Sequence, residues 1–116
     1  MQIDILKSKI HRATVTEANL DYVGSISIDE VLMKKANIVE FEKVHVLNIT
    51  NGNRLTTYAI KAKNHSGEIC INGAAAHLVS RGDLVIIVSY GKVSMENHNS
   101  YRPNIVHVNQ KNEIVD

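Results

Sequence analysis

The sequence contains no tryptophan, and only one phenylalanine, one proline and one cysteine among its 116 residues. A core without large aromatic rings has to be filled by valine, isoleucine, leucine and alanine, and abundant β-branched residues favour strands. The single cysteine, Cys70, cannot form an internal disulfide, which suits a reducing compartment. Because Cys70 stands between Ile69 and Ile71, we interpret it as a small buried hydrophobic residue and not as a nucleophile.

Long apolar runs and basic stripes are also missing. The net charge is +1 with scattered lysine and arginine, so we expect no nucleic-acid partner. The longest apolar run, residues 84–88, is far too short to span a bilayer, and the first residues lack the apolar segment of a signal peptide. We therefore expect a single domain over residues 1–116 that is soluble and cytoplasmic, with no membrane partner.

Apolar patterning predicts a mainly β chain of six or seven strands with two short helices. Asn51-Gly52 between two alternating segments is typical of a β-hairpin. Asp29 is the expected N-cap of the first helix, and Asn37 its end. Such a set of strands closes naturally into a small β-barrel. Eight segments are strand-like, from which we expect the six or seven strands: residues 3–6, 9–16, 25–28, 41–50, 54–62, 68–71, 84–90 and 104–109. The helices are expected over 30–36 and 74–79, a loop over 91–100, and a mobile charged tail at the C-terminus.

The dipeptide Gly24-Ser25 is a candidate source of a self-made prosthetic group. Attack of the Ser25 hydroxyl on the preceding carbonyl turns the amide into an ester. β-Elimination then gives dehydroalanine, which hydrolyses to a pyruvoyl group and ammonia. Glycine on the carbonyl side has no Cβ to obstruct the attack. Gly-Ser is also an ordinary loop pair, so the dipeptide alone does not decide between these interpretations.

Two predicted strands carry polar side chains suited to binding or catalysis. Lys9 and His11 alternate on one face of the first, where solvent-exposed positions are the simpler explanation. Arg54 and Tyr58 project from one face of the second, about 13 Å apart, whereas Thr57 points to the opposite face of a regular strand.

The stretch from Asn72 through Gly73, Ala74 and Ala75 opens the second predicted helix. The first N–H groups of a helix have no internal partner and attract an anion, although an ordinary capped helix explains the same pattern. None of the six histidines pairs with another histidine or with Cys70 at metal-ligand spacing, so we expect no metal site. No Gly-x-Ser-x-Gly elbow of a serine hydrolase is present.

Together these stretches resemble the pyruvoyl-dependent aspartate 1-decarboxylases in order and spacing through nearly the whole chain. Leu47 stands where some members carry an aromatic residue, and the tail after about His107 lies outside the resemblance. The matching segments are KIHRATVT (9–16), YVGS (22–25), NITNGNR (48–54), TYAI (57–60), INGAAAH (71–77), GDLVII (82–87) and YRP (101–103).

The resemblance implies a six-stranded double-psi β-barrel, assembled as a homotetramer with active sites between subunits. It also implies cleavage between Gly24 and Ser25 into residues 1–24 (the beta chain) and 25–116 (the alpha chain), leaving a covalent pyruvoyl group at position 25. Neither a metal nor pyridoxal phosphate is then needed. The implied reaction converts L-aspartate to β-alanine and carbon dioxide for pantothenate biosynthesis.

The resemblance also implies a role for each candidate residue. The substrate amine forms a Schiff base with the pyruvoyl ketone, which takes up electrons as carbon dioxide leaves. A tyrosine hydroxyl is protonated at neutral pH, and an arginine fork can grip the carboxylate that the substrate keeps. The implied roles are Ser25 and Tyr58 in catalysis, with Tyr58 as proton donor; Lys9, Arg54, Thr57, Gly73, Ala74 and Ala75 in substrate binding; Gly24, Ser25, Thr57 and Asn72 in cleavage; and His11 and Tyr22 as supporting residues.

Two other functions remain compatible with the residues. One is a non-enzymatic β-barrel that binds a ligand or partner and never cleaves itself. The other is a pyruvoyl decarboxylase of a different acidic amino acid such as glutamate, since one methylene gives only about 10- to 200-fold discrimination.

Overall fold

The computed structural model describes residues 1–115, and these residues are mainly β. Asp116 lies outside the described residues. The elements are β1 (Gln2–Thr14), β2 (Glu17–Asn19), β3 (Ser25–Asp29), α1 (Glu30–Ala36), β4 (Lys43–Asn48), β5 (Arg54–Ala62), β6 (Ile69–Asn72), a 3₁₀ helix (Gly73–Leu78), β7 (Leu84–Ser94), a second 3₁₀ helix (Met95–Ser100), β8 (Asn104–Val108) and β9 (Ile114–Val115).

Residues 1–115 form nine hydrogen-bonded strands in the order β2-β6-β3-β5-β4-β7-β1-β8-β9. Three neighbouring pairs are parallel, β1 with β8, β3 with β5, and β2 with β6, and the rest are antiparallel. The expected mainly β fold is confirmed and is consistent with a small β-barrel. Among residues 1–115, the expected six or seven strands become nine because β2 and β9, of three and two residues, were not predicted.

The core is aliphatic, as the scarcity of aromatic residues predicts. Phe41, the one phenylalanine, is 71% exposed. Successive side chains of a strand point to opposite faces, and in β3 the isoleucines point inward. The fully buried side chains include Ile10, Ile26, Ile28, Ile69, Ile71, Ile87, Val44, Val46 and Val85.

Helix α1 begins and ends at the expected caps. Asp29 Oδ1 accepts hydrogen bonds from the Val31 N–H at 2.9 Å and the His65 N–H at 3.0 Å, and its Oδ2 accepts one from the Gly67 N–H at 2.8 Å. Asn37 closes the helix in the left-handed conformation, with φ of 59°. Asp29 is also the last residue of β3, so these bonds anchor the far end of the strand that begins at Ser25.

Two polar segments have more regular structure than the sequence predicts. Residues 91–94 continue β7 because they pair with the first residues of β1, which is one long strand and not two. Residues 95–100 form a 3₁₀ helix where a loop was expected, and the predicted helix over 74–79 is a 3₁₀ helix as well.

The C-terminal residues 109–115 do not form the mobile tail that was expected. Strand β9 pairs with β8, and Asn112 is buried. The Asn112 side chain accepts a hydrogen bond from the Thr14 N–H at 2.7 Å and donates to the Thr14 and Gly67 carbonyls, both at 2.8 Å. A polar residue that joins three segments leaves no hydrophobic pattern, which explains why the prediction was wrong here.

One ion pair makes the stability of this fold depend on pH. Lys7 Nζ lies 3.1 Å from Glu42 Oε2, and the Val39 N–H donates to Glu42 Oε1 at 3.0 Å. Burial of the carboxylate raises its pKa, but the Val39 hydrogen bond and the Lys7 charge outweigh burial and hold the pKa below its ordinary value of 4.5. The ionised carboxylate therefore stabilises the fold above pH 4.5, and this contribution is lost as pH falls through the folded-state pKa.

We expect Glu42→Gln to lower the free energy of unfolding by about 1 kcal/mol at pH 7. The difference from the wild type should shrink as the pH is lowered below 4.5, as measured by chemical denaturation across a pH series. Asp4→Asn is the matched control, because Asp4 and its partner Lys92 form an ion pair in which both side chains are exposed. This change should lower the free energy of unfolding by less than about 0.5 kcal/mol. A pH-independent loss in Glu42→Gln would contradict the assignment.

Candidate active site

The candidate site lies on the outward face of three adjacent strands. In the antiparallel pair of β3 and β6, Ser25 stands opposite Asn72, and in the parallel pair of β3 and β5, Ile26 stands beside Ala59. Ile26 and Ala59 point into the core, so alternation turns Ser25 and Tyr58 to the other face. The register thus brings two of the predicted catalytic residues together from distant parts of the chain.

Asn72 is the centre of the hydrogen bonding at this site. Its side-chain Nδ2 donates to Ser25 Oγ at 3.0 Å and to Ser27 Oγ at 3.1 Å. Its Oδ1 accepts from the Cys70 thiol, with 3.2 Å between Sγ and Oδ1. Burial raises the pKa of the Cys70 thiol, and the nearby Glu17 and Glu68 carboxylates raise it further, so the thiol keeps its proton at neutral pH. All four side chains are buried, and they form one connected network.

Gly73 permits the turn that contains the Gly24-Ser25 bond to lie directly on the backbone of β6. It has a φ of +73°, and a Cβ at this position would stand 2.6 Å from Gly24 Cα and 2.7 Å from Gly24 N. Only a residue without a side chain allows this approach. Gly24 itself is less crowded, since a Cβ there would come no closer than 3.9 Å to its nearest neighbour, the Asn72 carbonyl oxygen.

A pocket of about 290 Å³ opens above Ser25. Its rim is apolar and exposed: Tyr22 is 64% exposed and Val23 83% exposed. The Phe41 and Tyr58 rings lie with their centroids 6.3 Å apart. The lining residues are Tyr22, Val23, Ser25, Ser27, Phe41, Tyr58, Ile60 and Asn72. A volume of this size accommodates a small amino acid beside the Ser25 side chain.

Thr57 does not line this pocket, because it shares the inward face of β5 with Leu55 and Ala59. The opposite orientation of Thr57 and Tyr58 agrees with the regular alternation expected from the sequence. When the parallel register of β3 and β5 is extended back by two residues from Ile26 and Ala59, Thr57 falls beside Gly24. Gly24 itself lies just before β3, and adjacent strands are about 4.8 Å apart, so this extension of the register would put Thr57 next to the glycine and not next to the serine side chain.

Lys9 and His11 lie on a different part of the sheet from Ser25. Four strand spacings separate β1 from β3, or about 19 Å of sheet width. The His11 and His107 rings lie edge to face with their centroids 5.5 Å apart, and His11 Nδ1 is buried without a hydrogen-bond partner among residues 1–115. Burial lowers the pKa of His11, and the positive charges of Lys9, His107 and Arg12 lower it further.

Arg54, Ala74 and Ala75 do not line the pocket. Arg54 is exposed at the start of β5, about 13 Å along the strand from Tyr58. Gly73, Ala74 and Ala75 form the first turn of the 3₁₀ helix that follows Asn72, and Asn72 makes no side-chain cap there because its amide is turned to Ser25 and Ser27.

Sequence reasoning missed five residues of the site. Ser27 and Cys70 hold Asn72, and Val23, Phe41 and Ile60 line the pocket. Ser27 was detectable, since it follows Ser25 by two positions in a strand and must share its face. Cys70 and Phe41 reach the site only through strand pairing and a loop, which no local pattern reveals.

Another cavity, of about 340 Å³, lies between α1, the loop at residues 64–67 and the C-terminal turn. It is larger than the pocket above Ser25, but its buried acidic group, Asp29, already accepts three backbone hydrogen bonds. Asp29 therefore serves the fold.

Among residues 1–115, no cluster of three or more histidine, cysteine, aspartate or glutamate side chains is arranged to hold a metal ion. Across the same residues, every helix is too short or too polar to cross a membrane.

Comparison with known proteins gives one consistent result. The model of a family described as aspartate decarboxylase matches residues 1–115. The chain is 60% identical over 116 residues to a Campylobacter hominis protein named aspartate 1-decarboxylase, covering 100% of both chains. It is 59% identical over 115 residues to a protein of the same name from Acetivibrio thermocellus, covering 99% of this chain and 91% of that one. It is also 57% identical over 114 residues to one from Clostridium botulinum, covering 98% and 90%.

Proposed function

Because the chain belongs to the aspartate decarboxylase family, we propose that it is an enzyme that converts L-aspartate to β-alanine and carbon dioxide. The observation that carries this proposal is the arrangement around Ser25: a buried hydroxyl held by Asn72, next to a glycine whose backbone rests on Gly73, beneath a pocket lined by Tyr58. We further propose that the β-alanine serves pantothenate biosynthesis.

The chain first cleaves itself between Gly24 and Ser25. Ser25 Oγ attacks the Gly24 carbonyl carbon, the C–N bond breaks, and the nitrogen takes up the hydroxyl proton to become a free amine, leaving an ester. Loss of the Ser25 α-proton then breaks the Cβ–Oγ bond, and Oγ leaves as part of the Gly24 carboxylate. Water hydrolyses the resulting dehydroalanine and releases ammonia, so residue 25 becomes a pyruvoyl group at the start of residues 25–116.

The residues around position 25 fit a pyruvoyl group. The small backbone of Gly73 lets the cleavage turn pack closely, and the pocket leaves room above residue 25. Once formed, the pyruvoyl carbonyl supplies the electron sink for decarboxylation, which a bound cofactor provides in other enzymes. No additional metal or pyridoxal phosphate enters this proposal.

We expect Gly73→Ala to slow cleavage by at least about tenfold, because its Cβ would collide with Gly24 and displace the turn that must be attacked. Gly52→Ala is a matched control: Gly52 also has a positive φ, of +80°, but a Cβ there meets no atom within 4 Å. Both variants bear backbone strain of about 1 kcal/mol, but only Gly73→Ala should cleave slowly. Mass spectrometry measures the cleavage rate of each variant, and equal rates would exclude the steric explanation.

Thr57 is proposed to donate a hydrogen bond to the Gly24 carbonyl oxygen as negative charge develops on it. Removing one such donor typically slows acyl transfer by about 10²- to 10³-fold, which is the loss of cleavage rate that we expect for Thr57→Val. Thr57→Ser keeps the hydroxyl and should cleave nearly normally. Thr56→Val, on the opposite face of β5, controls for loss of a threonine hydroxyl from this strand. Normal cleavage of Thr57→Val would remove Thr57 from the mechanism.

For the reaction on aspartate, we assign Tyr58 the role of protonating the former α-carbon. Arg54 would hold the carboxylate that the substrate keeps, with Lys9 adding positive charge. The backbone N–H groups of Gly73, Ala74 and Ala75 would orient the substrate. Tyr22 closes the pocket in this scheme, and the neutral His11 imidazole lies beside Lys9.

A homotetramer is part of the proposal because Lys9 lies on β1, four strands from β3 in the order of the sheet, and does not line the pocket above Ser25. A neighbouring copy would bring Lys9 over the pocket, and it would cover the exposed apolar rim formed by Tyr22, Val23 and Phe41. Light scattering on the purified protein should give four times the mass of one chain. A monomer that decarboxylates aspartate would contradict a shared site.

The proposed function is tested by the mass of the denatured protein together with an assay of the product. We expect two fragments, one ending at Gly24 and one beginning with pyruvoyl at position 25, and formation of β-alanine from L-aspartate. An intact chain of 12.9 kDa that persists after prolonged warm incubation and forms no product would favour the non-enzymatic binding module. Faster turnover of L-glutamate than of L-aspartate would instead favour a decarboxylase of another acidic amino acid.

A further inference from the structure

Both N–H groups and the oxygen of the Asn72 side-chain amide form hydrogen bonds in the network around Ser25. One N–H is directed to Ser25 Oγ, the other to Ser27 Oγ, and Oδ1 accepts the Cys70 thiol hydrogen. The protonated thiol donates to an amide oxygen more readily than it accepts from an amide nitrogen. Ser27 therefore accepts a hydrogen bond from the Asn72 amide, and Cys70 donates one to it.

The two neighbours select one orientation of the amide. If the amide were rotated by 180°, Oδ1 would face both serine hydroxyls, and Nδ2 would face only the weakly accepting Cys70 sulfur. One buried N–H would then lack a partner, which costs about 1 to 3 kcal/mol. The observed orientation leaves no such group and presents a donor to Ser25 Oγ.

We propose that Ser27 and Cys70 are positioning residues for self-cleavage, because they hold Asn72 in the orientation that donates a hydrogen bond to Ser25 Oγ. This inference rests on the proposed self-cleavage at Gly24-Ser25. The hydroxyl hydrogen of Ser25 stays free to leave, since its nearest acceptor is the Val23 carbonyl oxygen at the long distance of 3.5 Å.

The hydrogen bond to Oγ matters most at the second step of cleavage. Oγ is the bridging oxygen of the ester, and it acquires negative charge when the Cβ–Oγ bond breaks and the Gly24 carboxylate departs. A hydrogen bond to a charged oxygen is about twice as strong as one to a neutral oxygen. Asn72 in the observed orientation therefore speeds elimination, whereas a rotated amide would turn its own oxygen toward the departing carboxylate.

The test follows freshly synthesised full-length chains from a cell-free translation mixture, comparing the wild type with Cys70→Ala, Cys70→Ser and Ser27→Ala. Mass spectrometry measures cleavage, and hydroxylamine added at intervals splits only those chains that contain the ester. We expect Cys70→Ala and Ser27→Ala to cleave about tenfold more slowly and to accumulate hydroxylamine-sensitive chains, since the preference for one amide orientation is lost. Cys70→Ser keeps a donor of similar size and should stay within about threefold of the wild type.

The inference is overturned if Cys70→Ala cleaves at the wild-type rate, if Cys70→Ser is as slow as Cys70→Ala, or if slow cleavage occurs without accumulation of ester. If Cys70→Ala does not fold, Ser27→Ala, which removes a single oxygen atom, tests the inference in its place by the same cleavage rate and ester accumulation. A wild-type chain that does not cleave overturns the proposed function and this inference with it. A wild-type chain that cleaves, with variants that cleave equally fast, overturns the inference alone.

Discussion

Replacement of Ser25 by alanine is expected to leave a single polypeptide of about 12.9 kDa and to abolish β-alanine formation. Alanine has no oxygen to attack the Gly24 carbonyl, and no other hydroxyl can take its place, because Ser27 holds its oxygen against Asn72 two residues further along β3. Without cleavage, position 25 has no carbonyl to act as electron sink. Denaturing mass spectrometry and a β-alanine assay on the same preparation measure both losses together.

The fold should survive this change, since Ser25→Ala removes one oxygen from a site where Asn72 keeps its bonds to Ser27 and Cys70. Ser80→Ala is the matched control, an exposed serine remote from the pocket, and it should cleave and turn over normally. Fragmentation at residue 24 in Ser25→Ala would show that the bond is broken by another route. Formation of β-alanine by an uncleaved Ser25→Ala chain would exclude the pyruvoyl mechanism.

Tyr58→Phe is expected to separate the two functions of the site. Loss of the phenolic O–H removes the proton donor for the former α-carbon, which should lower kcat by about 10²- to 10⁴-fold. Cleavage should proceed normally, because the Tyr58 side chain faces the pocket, whereas the proposed donor to the Gly24 carbonyl is Thr57, on the opposite face of β5. The phenylalanine ring also keeps the contact with Phe41, so the shape of the pocket is preserved.

The measurements are the fraction of cleaved chain, determined by mass, and kcat and KM for L-aspartate on fully cleaved protein. A donor that acts after carbon dioxide is lost affects kcat and leaves KM nearly unchanged. Tyr90→Phe is the control: like Tyr58, Tyr90 packs against an aromatic ring, here that of His45, but it lies outside the pocket. A Tyr58→Phe enzyme with kcat within about threefold of the wild type would show that another group delivers the proton.

The amino-acid sequence alone determined the class of fold and the local elements around the site. Alternating aliphatic residues specify strands, because this signal depends only on neighbours two positions apart. The scarcity of aromatic residues specifies an aliphatic core, because it is a property of the composition alone. Asp29 and Asn37 specify the ends of α1 in the same local way. The order of short motifs, from Lys9 to Pro103, identified the family before any contact was known.

Only the tertiary structure decided which of these residues meet. Pairing of β3 with β6 brings Asn72 opposite Ser25. It also brings Gly73 into contact with Gly24, which is nearly fifty residues away in the sequence. The C-terminal residues join the sheet through β9, and Asn112 bonds to β1, although their charged sequence predicted a mobile tail.

The physical reason is that hydrophobic periodicity indicates which face of a strand a side chain occupies. Strand register determines which distant residue stands opposite it on the neighbouring strand. Register depends on burial and backbone hydrogen bonds summed over the whole sheet, and a single residue such as Cys70 contributes no periodic signal to it. Its thiol, interpreted from the sequence as a small buried hydrophobic residue, is indeed buried, but the same position gives it a hydrogen bond to Asn72. The chain's local sequence therefore specified the parts of the site, and the folded sheet brought them into contact.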